Sequence, residues 1–270
     1  MSYLNPITLT PKIYQSTDKN APQLLGQVGD HKSVFKACLV TGYGDKEGAG
    51  FTLDNETDRS CDFISPNIMM SKIGVEEEGN YCRPYYYDGT TKVSMTNQFS
   101  ITRNATRGAS WVMLVCELGL YFVVTVNGKS QIIYLGLIKS AINDNNQNFI
   151  CMNLGSISSS STTYIANKGK IGTHTDFNLL SCGYTLGNAS KQEEFFISLF
   201  ADVFWRKNGT LLGSQPALLT QNATTLTQET KMTHYQDKAV LYAFVCSNYS
   251  EFYIKNHNMA VMISLEDWEF

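Results

Sequence analysis

The run "ASWVMLVCELGLYFVVTVNGKSQIIYLGLI", residues 109–138, sets the fold class of this chain. Its segments 109–117, 120–126 and 131–138 are rich in β-branched and aromatic residues, which favour strands. Asn127-Gly128 separates the last two segments, and this pair accommodates the two positive φ values of a tight hairpin turn. The run therefore predicts antiparallel strands that follow one another along the chain.

More strand-like segments lie on the C-terminal side of this run. They are "NFICMNLG" (148–155), "EFFISLFADVFWRK" (194–207), "AVLYAFVCS" (239–247), "EFYIK" (251–255) and "MAVMISL" (259–265). Short strands separated by turns are typical of antiparallel sandwiches and barrels. We therefore predict a mainly β protein, an antiparallel sandwich or barrel with either one lobe or two.

The N-terminal side of the run predicts one short helix that follows an extended arm. Residues 1–28 hold prolines at 6, 11 and 22 and no helical period, which indicates an arm. Asp30 is the expected N-cap, and apolar residues at 34, 35, 38 and 39 recur at helical spacing. Gly42 stands where a C-cap glycine in the left-handed helical conformation belongs. An extended arm must bury its backbone groups, so we expect it to dock on a neighbouring subunit of a homo-oligomer.

The sequence also predicts where the chain divides. The Ser/Thr patch "SISSSSTT" (156–163) has the composition of a linker. The predicted organisation is an extended N-terminal arm at 1–28, a helix plus β domain at 29–157, a Ser/Thr linker at 158–163 and a second β lobe at 164–270.

The composition argues against several classes of protein. A formal net charge of −3 and the lack of a Lys/Arg cluster argue against nucleic-acid binding. The longest apolar run, 120–126, is far shorter than the roughly 20 residues of a membrane-spanning helix. The N-terminus has no basic stretch followed by an apolar one. We therefore expect neither membrane insertion nor a secretory leader.

The seven cysteines predict no metal site. They contain no C-x-x-C pair, whereas zinc sites usually take two ligands from one tight turn. Several lie in apolar runs, where Cys behaves as a small hydrophobic residue. We expect reduced, buried cysteines, no metal and no cofactor.

The glycine-rich segment after the predicted helix is interpreted as structural. A phosphate-binding loop requires Lys after its last glycine, and Phe51 occupies that place. Glu47 stands where a dinucleotide-binding fingerprint has its third glycine. The residues to which we assign a structural role are Asp30, Cys38, Gly42, Tyr43, Gly44, Gly48, Gly50 and Phe51. No catalytic residue is predicted.

Residues 76–89 contain a run of acidic residues and a run of tyrosines. "EEEG" (76–79) lacks the alternating acidic spacing of a calcium loop and predicts a solvated acidic turn. "RPYYYDG" (83–89) contains Tyr85, Tyr86 and Tyr87, which a strand directs to both of its faces. Because aromatic residues are enriched at subunit interfaces, we predict that these tyrosines form one.

Residues 14–51 read "YQSTDKNAPQLLGQVGDHKSVFKACLVTGYGDKEGAGF". This segment resembles the N-terminal region of a family of tailed-bacteriophage and prophage virion proteins. The matching residues are Ser16, Thr17, Asp18, Ala21, Pro22, Leu24, Gly26, Gly29, Ala37, Cys38, Leu39, Val40, Gly42, Tyr43, Gly44, Lys46, Ala49 and Gly50. Phe51 departs from the family's Trp, and Phe35-Lys36 depart from Leu-Asp. Residues 111–155 are loosely similar to the family's next block of strands.

This resemblance implies a structural or accessory component of a phage particle, in its head, neck or tail. Such a protein is assembled in the cytoplasm of the bacterial host and ends in the virion. Its expected partners are other virion proteins and further copies of itself. No catalytic residue is associated with the motif, so the protein is not expected to be an enzyme.

Two alternatives stay open. One is a host-adsorption protein of the tail, whose aromatic loops bind a glycan or pilus on the bacterial surface as a host receptor. The other is a virion-associated polysaccharide hydrolase. Many such enzymes use paired carboxylates, and the chain has 24 Asp and Glu residues.

Overall fold

The structure is a computed structural model that describes residues 7–79, 81–94, 101–102, 107–126, 129–140, 149–154, 165–167, 170–172, 177–181, 201–207, 210–222, 239–245 and 258–270. In these residues helix α1 (Asp30–Lys36) runs directly into a π-helical segment (Ala37–Thr41). The strands are β1 (Thr8–Leu9), β2 (Lys12–Gln15), β3 (Thr52–Glu56), β4 (Ser60–Ile64), β5 (Ile73–Glu78), β6 (Tyr81–Asp88), β7 (Thr91–Ser94), β8 (Ile101–Thr102), β9 (Ser110–Cys116), β10 (Gly119–Val126), β11 (Lys129–Leu137), β12 (Lys139–Ser140), β13 (Phe149–Leu154), β14 (Ile165–Asn167), β15 (Lys170–Gly172), β16 (Phe177–Ser181), β17 (Ala201–Lys207), β18 (Thr210–Asn222), β19 (Ala239–Val245), β20 (Asn258–Ser264) and β21 (Trp268–Glu269).

The predicted fold class is confirmed at the level of secondary structure. The chain is mainly β, its sheets are antiparallel and it has a single short α-helix in the residues that the structure describes. The sandwich-or-barrel architecture stays a prediction. The expected hairpin is visible in the register of β10 and β11, where Val126 pairs with Lys129.

The chain divides into two compact units. The first, here the helix-containing unit, comprises Pro11–Leu137 and Asn146–His174. The second, here the C-terminal unit, comprises Met1–Thr10, Ile138–Asn145 and Thr175–Phe270. These bounds differ from those expected from the sequence, because strand pairing recruits segments that are distant along the chain. The linker expected at 158–163 lies outside the described residues.

The described strands of the helix-containing unit form two sheets. The first has the strand order β15-β14-β13-β11-β10-β9-β2, and the second has the order β3-β4-β5-β6-β7, with β8 also paired to β6. Phe35 on α1 stacks on Phe63 of β4, with 6.5 Å between ring centroids, and meets the edge of Phe122 of β10 at 5.0 Å. The apolar side of α1 therefore contacts both sheets, as its buried Val34 and Phe35 require.

The C-terminal unit contains a sheet with the strand order β16-β17-β18-β20-β19, to which β12 adds by pairing with β18. It also joins the two ends of the chain, since β1 pairs with β21 in antiparallel register. The backbone of Ile7 and Phe270 exchanges two hydrogen bonds at 3.2 and 3.0 Å. Trp268 of β21 pairs with Leu9 of β1, and its side chain is buried.

The described part of the N-terminal segment is built into the fold rather than extended away from it. Strand β2 pairs with β9, and the N–H of Ser16 donates to the carbonyl of Trp111 at 2.9 Å. The Trp111 indole N–H donates to the Pro22 carbonyl at 2.9 Å, and Leu24 is buried. The expected extended arm is therefore wrong for residues 11–28, because they are bonded and packed within their own unit, whereas association with a neighbouring subunit stays a prediction.

Within the described ranges, no helix is both long enough and apolar enough to cross a membrane.

Candidate functional site

The glycine-rich segment begins where the π-helical segment ends. The N–H of Gly42 donates to the carbonyl of Ala37 at 2.8 Å, which closes the wider turn of a π-helix. Gly42 has φ 73° and ψ 179°, so it has the positive φ expected of it but not the left-handed helical conformation. A Cβ at this position would lie 2.2 Å from the carbonyl oxygen of Lys46. Only glycine fits here without displacing the backbone.

The next residues fold tightly against backbone of the same unit. Tyr43 and Lys46 exchange two backbone hydrogen bonds, each 2.9 Å long. A Cβ at Gly44 would lie 2.4 Å from the carbonyl oxygen of Lys19, and one at Gly48 would lie 2.3 Å from that of Val40. Gly50 has open space around its Cα. The segment therefore forms a closely packed loop.

Three side chains that are separated in sequence meet at this loop. The phenol of Tyr43 donates to Oδ2 of Asp18 at 2.8 Å, and Nζ of Lys46 lies 2.6 Å from the same oxygen. Burial acts to raise the pKa of Asp18, but hydrogen bonds from Lys46, the Gln15 backbone and Tyr43 outweigh it and lower the pKa. Burial and the Asp18 hydrogen bond raise the pKa of Tyr43. We call Asp18, Tyr43 and Lys46 the edge cluster.

The edge cluster lies along the outer side of β2. Nζ of Lys46 donates to the carbonyl of Ile13 at 2.7 Å. The N–H of Gln15 lies 2.9 Å from Oδ2 of Asp18 and 3.1 Å from the phenol oxygen of Tyr43. In each of these contacts a cluster side chain bonds either the backbone of β2 or another member of the cluster. The cluster therefore has a structural role.

Cys38 and Phe51 are core residues. Both are buried, and burial raises the pKa of the Cys38 thiol well above its ordinary value. The N–H of Phe51 donates to the carbonyl of Leu39 at 3.0 Å, which ties the end of the glycine segment to the π-helical segment. Cys61, Cys82 and Cys116 are also buried free thiols.

Asp30 does not cap α1. It is the first residue of the helix, and Gly29, with φ 91°, occupies the N-cap position. Oδ2 of Asp30 instead accepts hydrogen bonds from the N–H groups of Leu25 and Gln27 at 2.7 and 2.8 Å. Asp30 therefore orders the turn that precedes the helix.

Glu77 caps α1 and is the residue that the sequence interpretation missed. It is buried on β5, and its carboxylate accepts the N–H groups of Gly29, His31 and Lys32 at 2.6, 3.1 and 3.4 Å. The expected solvated acidic turn at 76–79 is therefore wrong for this residue. The signal was its place at period two after the apolar Ile73 and Val75, which directs Glu77 to the inner face of the sheet.

The tyrosines at 85–87 lie within the fold rather than on its surface. Tyr85 and Tyr86 are 1% and 0% exposed, and Tyr87 is half-buried. Strand alternation directs Tyr86 to the inner face with Phe63 and Ile73, and Tyr85 and Tyr87 to the other face. The prediction that all three form a subunit interface is wrong for Tyr85 and Tyr86, because the chain itself covers their rings.

Tyr85 and Tyr87 surround a buried carboxylate. Both phenols donate to Asp62, Tyr87 at 2.8 Å, and Tyr85 lies over Gly74 of the neighbouring strand. Burial, followed by the Asp62 hydrogen bond, raises the pKa of Tyr85 and of Tyr87. Nζ of Lys72 lies 3.7 Å from the centroid of the Tyr87 ring and 3.8 Å from Oδ2 of Asp62. This second network is also satisfied internally.

The described residues contain no group of three or more His, Cys, Asp or Glu side chains arranged to hold a metal ion. Comparison with models of known protein families gave no match. Comparisons with curated proteins and with solved structures gave none either.

Proposed function

We propose that this chain is a structural or accessory component of a bacteriophage particle that acts by assembly and binding. The proposal rests on one observation: the residues that segment 14–51 shares with virion proteins make structural contacts. Asp18, Tyr43 and Lys46 are among the matching residues, and they form one cluster although they are up to 28 residues apart in sequence.

Other matching residues have the same kind of role. The backbone of Ser16 and Trp111 is joined at 2.9 Å, and Ser16 Oγ accepts the Trp111 N–H at 3.1 Å. Gly42 and Gly44 permit contacts with backbone that a Cβ would prevent. These residues hold the backbone in a fixed shape, which is what a protein that acts by assembly requires. This is the support for an assembly role over a catalytic one.

Particle composition tests the proposal. The gene, with an epitope tag, replaces the original copy in a phage or prophage that carries it, and particles are purified on a density gradient. We expect the protein to follow infectivity at a constant ratio to the major capsid protein, even after a high-salt wash. Protein that remains entirely at the top of the gradient would contradict a virion role.

Labelled antibodies to the tag then locate the protein on the head, neck or tail in electron micrographs.

Two assays address the alternatives. Antibodies that block attachment of particles to cells would support host adsorption, whereas sustained release of reducing sugar from host polysaccharide by the purified protein would support a hydrolase.

A further inference from the structure

Strand β2 ends the larger sheet of the helix-containing unit. It pairs with β9 on one side and is the last strand in the order of that sheet. An edge strand presents backbone N–H and C=O groups that another chain can pair with. Natural sheets therefore block their edges in identifiable ways.

The outward-facing groups of β2 belong to Ile13 and Gln15. In a strand the N–H and C=O of one residue point to the same side, and successive residues alternate. Lys46 contacts the Ile13 carbonyl, and Asp18 and Tyr43 contact the Gln15 N–H, so these groups face away from β9. The Gln15 carbonyl accepts the N–H of Asp18 at 3.0 Å.

Among the residues that the structure describes, side chains rather than another strand therefore occupy this edge. The three residues of the edge cluster are joined to each other through Oδ2 of Asp18. Two more contacts fasten the loop to the strand: the Tyr14 phenol donates to the Glu47 carbonyl at 2.7 Å, and Nζ of Lys12 donates to the Gly48 carbonyl at 2.8 Å. The loop that Gly42 and Gly48 allow to fold so tightly holds the cluster in place.

We propose that the edge cluster prevents this chain from associating with a second copy of itself through β2. When the cluster is removed, the partner is β2 of another copy in antiparallel orientation. A twofold axis through Tyr14 places Ile13 of one copy opposite Gln15 of the other, so their outward-facing N–H and C=O groups pair. The same register places Lys12 opposite Ser16 and brings no like charges together.

This proposal does not rest on the virion role, since it concerns the state of the isolated chain. In a particle component, it would keep individual copies from pairing through β2 before assembly.

The test compares two double variants that are matched in chemistry. Tyr43→Phe with Lys46→Met removes the phenol oxygen and the ammonium group that contact β2, and with them the two side chains that hold Oδ2 of Asp18 against the Gln15 N–H. Tyr87→Phe with Lys72→Met removes the same groups from around Asp62, on the other sheet. Mass is measured by light scattering over a range of concentrations, in reducing buffer.

We expect the first variant to double its mass relative to the parent, with a dimer dissociation constant at least about tenfold lower. The control variant keeps the parent's mass. A Tyr43/Lys46 variant that has the parent's circular dichroism and remains at the parent's mass at every concentration overturns the proposal. If that variant loses its fold, Lys46→Met alone exposes the Ile13 carbonyl, and a folded Lys46→Met protein at the parent's mass overturns it equally.

A peptide identifies the surface involved. The synthetic segment "TPKIYQST" (10–17) is expected to bind the Tyr43/Lys46 variant and to dissociate its dimer. The same peptide with an N-methyl group on the nitrogen of Gln15 lacks the donor that faces the partner and should do neither. Equal effects of the two peptides would show that the association does not use the backbone of β2.

Discussion

The carboxylate of Glu77 lies 2.6 Å from the backbone nitrogen of Gly29, although 48 residues separate the two in sequence. Through this contact a strand of the smaller sheet caps the N-terminus of α1. The first N–H groups of a helix have no partner within the helix, and an acceptor with a negative charge also interacts favourably with the helix dipole. The position of α1 is therefore tied to that of β5.

Removing this cap should destabilise the protein. Glu77→Ala leaves the N–H groups of Gly29 and His31 without the acceptor they use, and we expect it to lower the free energy of unfolding by about 3 kcal/mol. Glu77→Gln keeps an acceptor oxygen and should cost less. Glu78→Ala is the control, since Glu78 is largely exposed and an exposed ion pair such as the one it makes with Arg83 is worth about 1 kcal/mol or less. Urea titration gives all three values, and equal values for Glu77→Ala and Glu78→Ala would contradict the capping role.

Adjacent leucines test whether the N-terminal segment belongs to the fold. Leu24 is 1% exposed and Leu25 is 55% exposed. Leu24→Ala should cost about 2–5 kcal/mol of unfolding free energy because it leaves a cavity, and Leu25→Ala should change it by less than about 0.5 kcal/mol. Thermal unfolding followed by circular dichroism measures both. A tolerated Leu24→Ala would show that this segment is not part of the core.

Alanine substitutions at two glycines distinguish the stability cost of steric crowding from the cost of a positive φ. Gly42 and Gly50 both have positive φ, but a Cβ at Gly42 meets the Lys46 carbonyl at 2.2 Å whereas one at Gly50 meets nothing within 4 Å. Gly50→Ala should cost about 1 kcal/mol from φ alone. Gly42→Ala should cost about 3 kcal/mol, because backbone must also move. Chemical denaturation compares the two, and an equal loss would mean that the loop relaxes freely.

Alkaline pH should unfold the protein through its buried phenols. Burial, with the Asp18 or Asp62 hydrogen bonds where present, raises the pKa of Tyr14, Tyr43, Tyr85 and Tyr134 above the ordinary value near 10. A group whose folded pKa is raised contributes stability that is fully present below its unfolded pKa and is lost as the pH rises towards the folded one. We therefore expect stability to decline above about pH 10. Phenolate absorbance should increase together with the loss of circular dichroism, and ionisation of these four residues in the folded state would contradict this reading.

Some site features could be predicted from sequence and others could not. The glycines at 42, 44 and 48 were identifiable because a tight loop leaves a compositional signature. The contacts of Asp18 with Tyr43 and Lys46 were not, since their hydrogen bonds join segments that only the fold brings together. The tyrosines at 85–87 are a second example. The sequence predicted that their side chains alternate between the two faces of β6, but whether each face is covered depends on α1 and on Asp62.

The sequence by itself determined that this is a mainly β, antiparallel protein whose described residues contain one short α-helix. Those properties follow from local signals, the β-branched and aromatic runs of 109–138 and the apolar spacing in α1, which act between residues that are close along the chain. Tertiary structure decided that β2 pairs with β9, that Glu77 caps α1 and that side chains close the edge of β2. Each of these depends on hydrogen bonds between distant residues, and a backbone or carboxylate group takes whichever partner the packed core brings within reach.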